Sequence, residues 1–373
     1  RFWDTLKKLQ ILWLLPIGGI FIVFLYRICG VRESQGTNLV LLAVRSEEDV
    51  PLRMAPLIFV STAITHLLGG SAGREGAALQ LGGSLAQQLG RMLHLDRKDM
   101  HIITMCGMSA CFSAVFGTPL AAAVFSLEVV SVGVMYYAAL VPCAIASLVS
   151  VLMAQAFSIQ HAGFMMKGIP DIGIFPLVQV LMLGILCACV SFLFCKALGE
   201  TGRLFKKHIP NSYLRIAAGG VLIIALTYLV GSRDYLGAGM PIIHNALDGQ
   251  VRPEAFLMKI IFTAITLAAA FKGGEIVPAL FVGATFGNAV APVLGLDPAF
   301  GAAIGMIALF CSVVNCPLAS ILLSVELFGH QAILLFCIAC AVSYVFSGYY
   351  GLYSSQKIMY DKLHPQYINT RSH

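Results

Sequence analysis

Long apolar segments recur along almost the whole of this chain, and several of them are interrupted by glycine or proline. They cover residues 9–26, 51–68, 133–154, 174–195, 213–230, 255–271, 299–314 and 331–348. Each is long enough to enter or span a hydrocarbon core roughly 30 Å thick. A broken backbone at membrane depth must be buried in protein or line a cavity, because lipid cannot satisfy its hydrogen bonds. The pattern predicts an all-α polytopic membrane protein with broken helices.

The composition also indicates a chain that is embedded in a lipid bilayer. Of 373 residues, 58% are hydrophobic and only 11% are charged, whereas a soluble protein carries about a quarter charged residues. The 11 cysteines lie mostly inside apolar segments without the spacing of a disulfide framework or a zinc site. We interpret them as packing residues and expect no metal and no cofactor. Because the chain opens on Arg1 without a signal peptide, we expect it to begin inside a longer protein.

The formal charge of +6 is concentrated in two basic clusters. One covers residues 203–208, and the other is the tail from Lys357 to Arg371. The positive-inside rule predicts that both lie on the cytoplasmic side of the membrane. Since this charge sits in short loops of a lipid-embedded chain, nucleic acid is excluded as a partner.

The two halves of the chain carry the same short motifs in the same order. The copies are separated by a nearly constant number of residues, which indicates duplication rather than chance similarity between apolar helices. Duplicated halves are typical of membrane transporters, in which the substrate binds where discontinuous helices meet near the midplane. The matching segments are residues 62–65 with 263–266, 73–75 with 273–275 and 116–128 with 314–326, at offsets of 201, 200 and 198.

The repeat suggests a division of the chain into four parts. We expect an N-terminal helix at residues 1–35, a first repeat half at 36–158 and a second half at 159–348. Residues 349–373 are expected to form a C-terminal helix and a cytoplasmic tail.

Three glycine-containing breaks stand where helices are predicted to begin, at residues 36–39, 69–76 and 272–278. A helix N-terminus exposes free N–H groups and the positive end of the helix dipole, so it can bind an anion without a full positive charge. Glycine lets the backbone approach the ion closely. The alternative is close helix packing through small residues, and the breaks alone do not decide between the two.

Two acids in the breaks favour ion binding. An ionisable side chain at membrane depth is costly and is therefore functional by default. The carboxylate of Glu75 can occupy the place of an anion at a helix end and leave it when protonated, which makes it a candidate gate and proton carrier. Glu275 stands in the equivalent break of the other half, and its alternative role is to pair with Arg74 or Lys272.

A second pair of acids, Glu128 and Glu326, ends an apolar stretch in each half. We interpret both as structural residues that cap or pair with helix ends.

Taken together, these motifs resemble the CLC chloride channel and transporter family over nearly the whole chain, from about residue 5 to 365. The resemblance rests on Gly-Arg-Glu-Gly at 73–76, Gly-Gly-x-x-x-Pro at 273–278, and Pro-Leu-Ala followed by an acid in both halves. It implies an inverted repeat of broken and tilted helices, and a homodimer in which each subunit has its own anion pathway.

The resemblance also implies roles for particular residues. Glu75 matches the external gating glutamate, Tyr353 matches a tyrosine that coordinates the central anion, and Thr37 takes the place of a central serine. Glu275 is the second candidate for gating and proton transfer. The candidates for anion binding are Thr37, Asn38, Gly73, Arg74, Gly76, Tyr353 and the backbone amides of Ile276 and Val277.

Within the family, two motifs depart from the chloride type and resemble the bacterial fluoride–proton antiporters. These are Gly-Gly-Glu-Ile-Val-Pro at 273–278 and Gly-Thr-Asn-Leu at 36–39. That branch often has Met where this chain has Thr37 and Thr where it has Val277. Chloride–proton exchangers carry an inner glutamate at the position of Val129, so any proton route here runs without that acid.

We therefore expect a fluoride–proton antiporter of the bacterial inner membrane, with a halide anion and protons as its substrates. The alternative on the same scaffold is a chloride-permeable channel or a chloride–proton exchanger. A membrane enzyme or a non-transporting scaffold is a third hypothesis, but no His-Glu-x-x-His occurs and His66 is the only histidine near the breaks. No nucleotide-binding loop supports an ATP-driven pump.

Overall fold

Apolar runs separated by glycine, proline and capping residues fold into a series of helices in the computed structural model. It describes residues 11–31, 36–45, 50–159, 163–364 and 366–372. In this part of the chain the helices are α1 (Leu15–Ile28), α2 (Thr37–Arg45), α3 (Met54–Leu67), α4 (Glu75–Met92), α5 (Arg97–Phe116), α6 (Pro119–Glu128), α7 (Leu140–Ala156), α8 (Ile174–His208), α9 (Ser212–Val230), α10 (Met240–Leu247), α11 (Ala255–Ala268), α12 (Ile276–Leu294), α13 (Pro298–Val314), α14 (Pro317–Phe328) and α15 (Ile333–Phe346).

Five helical segments among the described residues are long and apolar enough to cross a membrane. They are Arg97–Phe116, Tyr137–Ala156, Ile174–His208, Ser212–Val230 and Ile276–Leu294. Most of the other helices are apolar but shorter, as expected where a transmembrane path is built from broken helices. The chain is thus a multi-pass helical membrane protein.

Local sequence signals place several of the helix ends. Asp96 accepts a hydrogen bond from the N–H of Asp99 at the start of α5, and Asp297 caps the start of α13 in the same way. Helices α5 and α9 end at Gly117 and Gly231, whose positive φ angles of 74° and 65° are those of a left-handed cap.

The five helices α2–α6 recur in the same order as α10–α14. Their first residues differ in number by 203, 201, 201, 201 and 198, which agrees with the offsets of the repeated motifs. Glycines bring α4 into backbone contact with α5, and α12 into backbone contact with α13. A Cβ atom on Gly82 would lie 2.1 Å from the carbonyl oxygen of Gly107, and one on Gly283 would lie 2.4 Å from that of Gly305. Small residues therefore serve packing here.

Two acids join the halves through reciprocal contacts. The carboxylate of Glu128 accepts hydrogen bonds from the N–H groups of residues 318 and 319, at 3.2 and 2.9 Å. The carboxylate of Glu326 accepts from those of residues 120 and 121, both at 2.8 Å. Each acid thus caps the first turn of the equivalent helix in the other half, α14 or α6, and the prediction of a structural role is confirmed. The contacts relate the halves by an approximate two-fold axis.

The prediction of a helix within residues 349–373 is wrong for the described residues. This segment forms β2 (Lys357–Tyr360) and β3 (Tyr367–Arg371), which pair antiparallel, while β2 pairs parallel with β1 (Ser131–Val132). Both stretches contain β-branched or aromatic residues, which favour strands over helices. The edge of β1, directly after α6, provides the partner.

Hydrogen bonds from polar side chains attach this C-terminal segment to the helices. The amide nitrogen of Gln356 donates to the carbonyl oxygens of Val129 and Val314, at 2.9 and 2.8 Å. The Nζ atom of Lys362 donates to Oδ1 of Asn315 at 2.6 Å. The tail is therefore tied to the ends of α6 and α13, one from each half, which fixes the loop before Gln356.

We expect Glu326→Ala to lower the free energy of unfolding by roughly 2 kcal/mol, because two N–H groups at a helix start lose a charged acceptor. Thermal unfolding in detergent, followed by circular dichroism, measures this loss. The matched control is Glu254→Ala, since Glu254 is exposed and makes no capping hydrogen bond at the start of α11. Equal losses in both variants would contradict the capping role.

Candidate functional site

The two breaks that precede α4 and α12 meet in a short backbone bridge. The N–H of Gly73 donates to the carbonyl oxygen of Gly274, and the N–H of Gly274 donates to that of Gly73, both at 2.7 Å. This antiparallel bridge brings together the N-termini of two helices, one from each half. Their free N–H groups and positive dipole ends therefore converge on one place.

Glu75 lies at this convergence and is 0% exposed. It is the first residue of α4, but its Oε1 atom accepts a hydrogen bond at 3.0 Å from the N–H of Val277, at the start of α12. The N–H of Ile276 also acts on the carboxylate. Oε2 has no hydrogen-bond partner among the described residues. The carboxylate thus occupies the kind of helix N-terminus that binds anions.

The bridging glycines make room for this carboxylate. A Cβ atom on Gly73 would lie 2.1 Å from Oε2 of Glu75, and one on Gly274 would lie 2.2 Å from Oε1. Both distances are far inside van der Waals contact, so any larger residue at either position would displace the acid. Close backbone approach, which the sequence predicted for these breaks, is what the glycines provide.

The hydroxyl groups of Thr37 and Tyr353 and the start of a third helix, α2, complete the surroundings of the Glu75 carboxylate. Thr37 is the first residue of α2, and it is buried beside Gly76, with its Oγ1 atom 3.1 Å from the position of a Cβ on that glycine. Tyr353 is buried, and Glu75 and Glu275 both interact electrostatically with its hydroxyl. Residues far apart in sequence thus contribute to one locus.

Asn38 positions this locus through the loop that carries Tyr353. Its Oδ1 atom accepts hydrogen bonds from the N–H and the hydroxyl of Ser355, at 3.0 and 2.8 Å. Arg45, at the end of α2, donates to the carbonyl oxygen of the same serine. The side-chain oxygen of Asn38 is thereby committed to holding α2 against the loop.

A cavity of about 670 Å³ opens on one side of the site. Glu275 is half-buried in its wall, near Asn38. The cavity also contains residues of both basic clusters that were predicted to be cytoplasmic, so we call it the inner cavity. Its cationic lining residues are Lys206, Arg215, Lys272 and Arg371.

A smaller cavity, of about 170 Å³, has Arg74 and Val277 in its lining together with Phe116, Phe164 and Met240. It contains no residue of the two basic clusters, and we call it the outer cavity. The Val277 residue whose N–H binds Glu75 lines this cavity, whereas the neighbouring Glu275 lines the inner one. Residues beside the Glu75 carboxylate thus line both cavities.

Sequence reasoning missed one ionisable group near the site. Lys259 stands within the apolar run at 255–271 and is completely buried. The signal was a single lysine inside a membrane-depth segment. Val129 is buried, and its carbonyl oxygen accepts from Gln356, so no acid stands at this inner position.

Comparison with known proteins assigns the family. A family model described as the voltage gated chloride channel matches residues 18–348. The chain belongs to this family. A "Chloride/fluoride channel protein" of Pseudomonas syringae pv. tomato is 38% identical over 361 residues, which cover 95% of this chain and 80% of that relative. The "H(+)/Cl(-) exchange transporter ClcA" of Yersinia pestis is 24% identical over 364 residues, 92% of this chain and 75% of that protein.

Solved structures of CLC proteins share the fold. The crystal structure of a CLC-type fluoride/proton antiporter is 34% identical, with a TM-score of 0.91 over 95% of this chain and 90% of that one. A slow cyanobacterial Cl⁻/H⁺ antiporter is 20% identical, with a TM-score of 0.77 over 91% and 83% of the two chains. Members of the family move ions across membranes, so the chain is a transport protein and not an enzyme.

The contact between Gly73 and Glu75 can be tested by a pair of glycine substitutions. We expect Gly73→Ala to destabilise the protein by roughly 1–3 kcal/mol through overpacking, and to have little effect in a Glu75→Ala background, since its nearest clashes are all with that side chain. Gly274→Ala is the matched contrast. It should stay destabilising in both backgrounds, because its Cβ would also lie 2.6 Å from the backbone nitrogen of Gly76.

Thermal unfolding of the four single and double variants beside the parent proteins measures these differences. An equal loss for Gly73→Ala with and without the Glu75 carboxylate would contradict the placement of the acid between the glycines.

Proposed function

We propose that this chain exchanges fluoride for protons, and that Glu75 and the anion take turns at the same backbone site. The observation that carries the proposal is the buried Glu75 carboxylate, which accepts the N–H of Val277 at the start of α12. A carboxylate and a halide are both anionic acceptors, and both suit a helix N-terminus. The acid therefore stands where the transported ion binds.

Exchange follows from the protonation of this acid. When Glu75 takes up a proton, its carboxyl becomes neutral and loses most of its attraction to the N–H groups. The halide can then bind those groups while the neutral acid moves aside. When the proton leaves on the other side of the membrane, the carboxylate returns and expels the halide. One group thereby couples two ion movements in opposite directions.

Hydrogen-bond donors favour fluoride as the anion. Fluoride is small and accepts hydrogen bonds strongly, and the N–H of Val277 with the hydroxyls of Thr37 and Tyr353 supply donors. Glu275, which the resemblance associates with fluoride–proton antiporters, lines the inner cavity. The names of two relatives, a chloride/fluoride channel protein and a fluoride/proton antiporter, also support fluoride.

Chloride is the second candidate for the transported ion. The same donors and the cationic inner cavity suit any halide, and the ClcA relative is named for H⁺/Cl⁻ exchange. Val129 counts against a proton route of the type that uses an inner acid at that position.

We infer from the resemblance to the CLC family that the protein is a homodimer with one anion pathway in each subunit. We infer from its bacterial relatives that it resides in a bacterial plasma membrane.

Flux from liposomes, followed with a fluoride electrode and a pH electrode, tests the proposal. We expect fluoride to leave loaded liposomes while protons enter, and chloride to move at least about tenfold more slowly. Glu75→Gln should abolish the proton movement, because the amide cannot carry a proton through the cycle. Fluoride flux without proton counter-movement would contradict exchange, and equal chloride flux would contradict selectivity. Current far faster than a carrier cycle, and insensitive to a pH gradient, would identify a channel.

Glu275→Gln tests the second acid. Because Glu275 is at the wall of the inner cavity, we expect its neutralisation to slow proton-coupled fluoride flux by about a hundredfold or more, the lower end of what one general acid–base group contributes. Glu254→Gln is the control, since Glu254 is an exposed acid directly before α11, and it should leave the flux unchanged. Normal coupled flux in Glu275→Gln would assign this acid a packing role instead.

A further inference from the structure

Lys259 is a buried basic residue to which the proposed exchange cycle assigns no role. It lies on α11 with 0% of its surface exposed. A lysine at membrane depth is costly and marks a functional group unless a partner explains it. Its position therefore needs a physical cause.

The hydrogen bonds of Lys259 go to neutral groups. Nζ donates to the carbonyl oxygens of Tyr235 and Gly237, at 3.1 and 2.7 Å, and lies 5.1 Å from the centre of the Phe281 ring. The N–H of Gly237 in turn donates to the carbonyl oxygen of Gly70, at 3.1 Å. These contacts hold the loop before α10 against the break at residues 69–76. They satisfy the donors of the ammonium without supplying a negative charge.

The local helix does not explain the charge either. Nζ lies 3.6 Å from the position of a Cβ on Gly239, the residue that precedes α10. A cation beside a helix N-terminus is unfavourable because that end of the dipole is already positive. The charge must therefore be offset by a negative group elsewhere.

Among the described residues, the acid that acts electrostatically on Lys259 is Glu75. Lys259 and Glu75 interact electrostatically, and Lys259 also acts on His66, whose Nε2 lies 3.1 Å from the carbonyl oxygen of Gly73. Since a carbonyl oxygen can only accept, Nε2 of His66 carries a proton and adds a second donor to the bridge. In its protonated form, Lys259 thus places a positive charge beside the break that carries Glu75.

The two-fold relation between the halves shows that packing does not require this lysine. At the offset of 201 residues, Lys259 corresponds to Ile58, which lines the inner cavity. Ala238 and Met240, from the loop and helix start beside Lys259, line the outer cavity together with Arg74. A buried lysine at this position therefore occurs in one half only, beside residues that line the outer cavity.

We propose that Lys259 is a positioning residue whose positive charge, when it is protonated, balances one negative charge at the amide site (the N–H groups of Ile276 and Val277), whether the carboxylate of Glu75 or the transported halide. The proposal rests on the exchange proposed above. It predicts that the site holds one anion at a time, because an empty site leaves the cation uncompensated and a second anion lacks a counter-charge. Lys259 touches neither ion and acts through the electric field.

The effect of removing this charge depends on what occupies the site. In the wild type, fluoride replaces an ionised Glu75, so the charge at the site does not change, and Lys259→Gln should alter the fluoride Kd less than about threefold. In a Glu75→Gln background, fluoride brings the charge itself. There Lys259→Gln should raise the Kd about tenfold, the order expected from one charge acting through an effective dielectric constant of about 20. Lys259→Arg should restore most of the affinity.

Isothermal titration of the detergent-solubilised protein with fluoride, and separately with chloride, measures these constants, with Lys98→Gln on the exposed start of α5 as the control. A similar Kd increase in both backgrounds would show that Lys259 only holds the loop, and no increase in the Glu75→Gln background would show that its charge is not felt. Either result overturns the proposal. It is tested separately from exchange, because a wild type that binds a halide but moves no protons would contradict only the exchange.

A second pair of variants keeps the lysine and its hydrogen bonds intact. Ala238→Asp places a negative charge on the wall beside Lys259, and Ala238→Asn is its neutral match. In the Glu75→Gln background we expect the Asp variant to raise the fluoride Kd several-fold above that of the Asn variant. Equal constants for the two would contradict the electrostatic role even if Lys259→Gln does not fold.

Discussion

The structure depends on one buried carboxylate that is held by backbone N–H groups. Glu75 is shielded from solvent, and Val277 donates to it from the start of a helix in the opposite half of the chain. A free carboxylate at membrane depth would be too costly, so two helix starts must converge there to stabilise it. The two glycines of the bridge are needed because any side chain at these positions would fill the space that the acid occupies.

Convergence of two helix starts in turn requires the halves to face one another. The reciprocal caps of Glu128 and Glu326 fix the far ends of the repeated units, and the bridge between Gly73 and Gly274 fixes the centre. The duplicated chain thus meets itself at equivalent points. Chemistry departs from this symmetry at the two acids: Glu75 is completely buried, while Glu275 lies at the wall of the inner cavity. The same duplication therefore yields two acids in different surroundings.

Much of this could be predicted from local sequence. Apolar runs predicted the helices, and the glycine breaks with Glu75 and Glu275 predicted the centre of the candidate site. Each of these signals lies within a few consecutive residues. The strands at residues 357–371 were missed, since their pairing depends on β1, more than 200 residues earlier. The role of Asn38 was also out of reach, because its partner Ser355 lies 317 residues away. Lys259 was passed over inside an apolar run, because its hydrogen bonds to the carbonyl oxygens of Tyr235 and Gly237 appear only in the fold.

Competition between Glu75 and the halide for one amide site is tested most directly by the protons that accompany binding. Fluoride titrations of the wild type, at one pH in buffers of different ionisation enthalpy, give the number of protons taken up for each fluoride bound. If the anion displaces the carboxylate, the wild type takes up close to one proton at a pH where Glu75 is ionised, and the Glu75→Ala variant takes up close to none. The same proton uptake in both proteins would contradict a shared site.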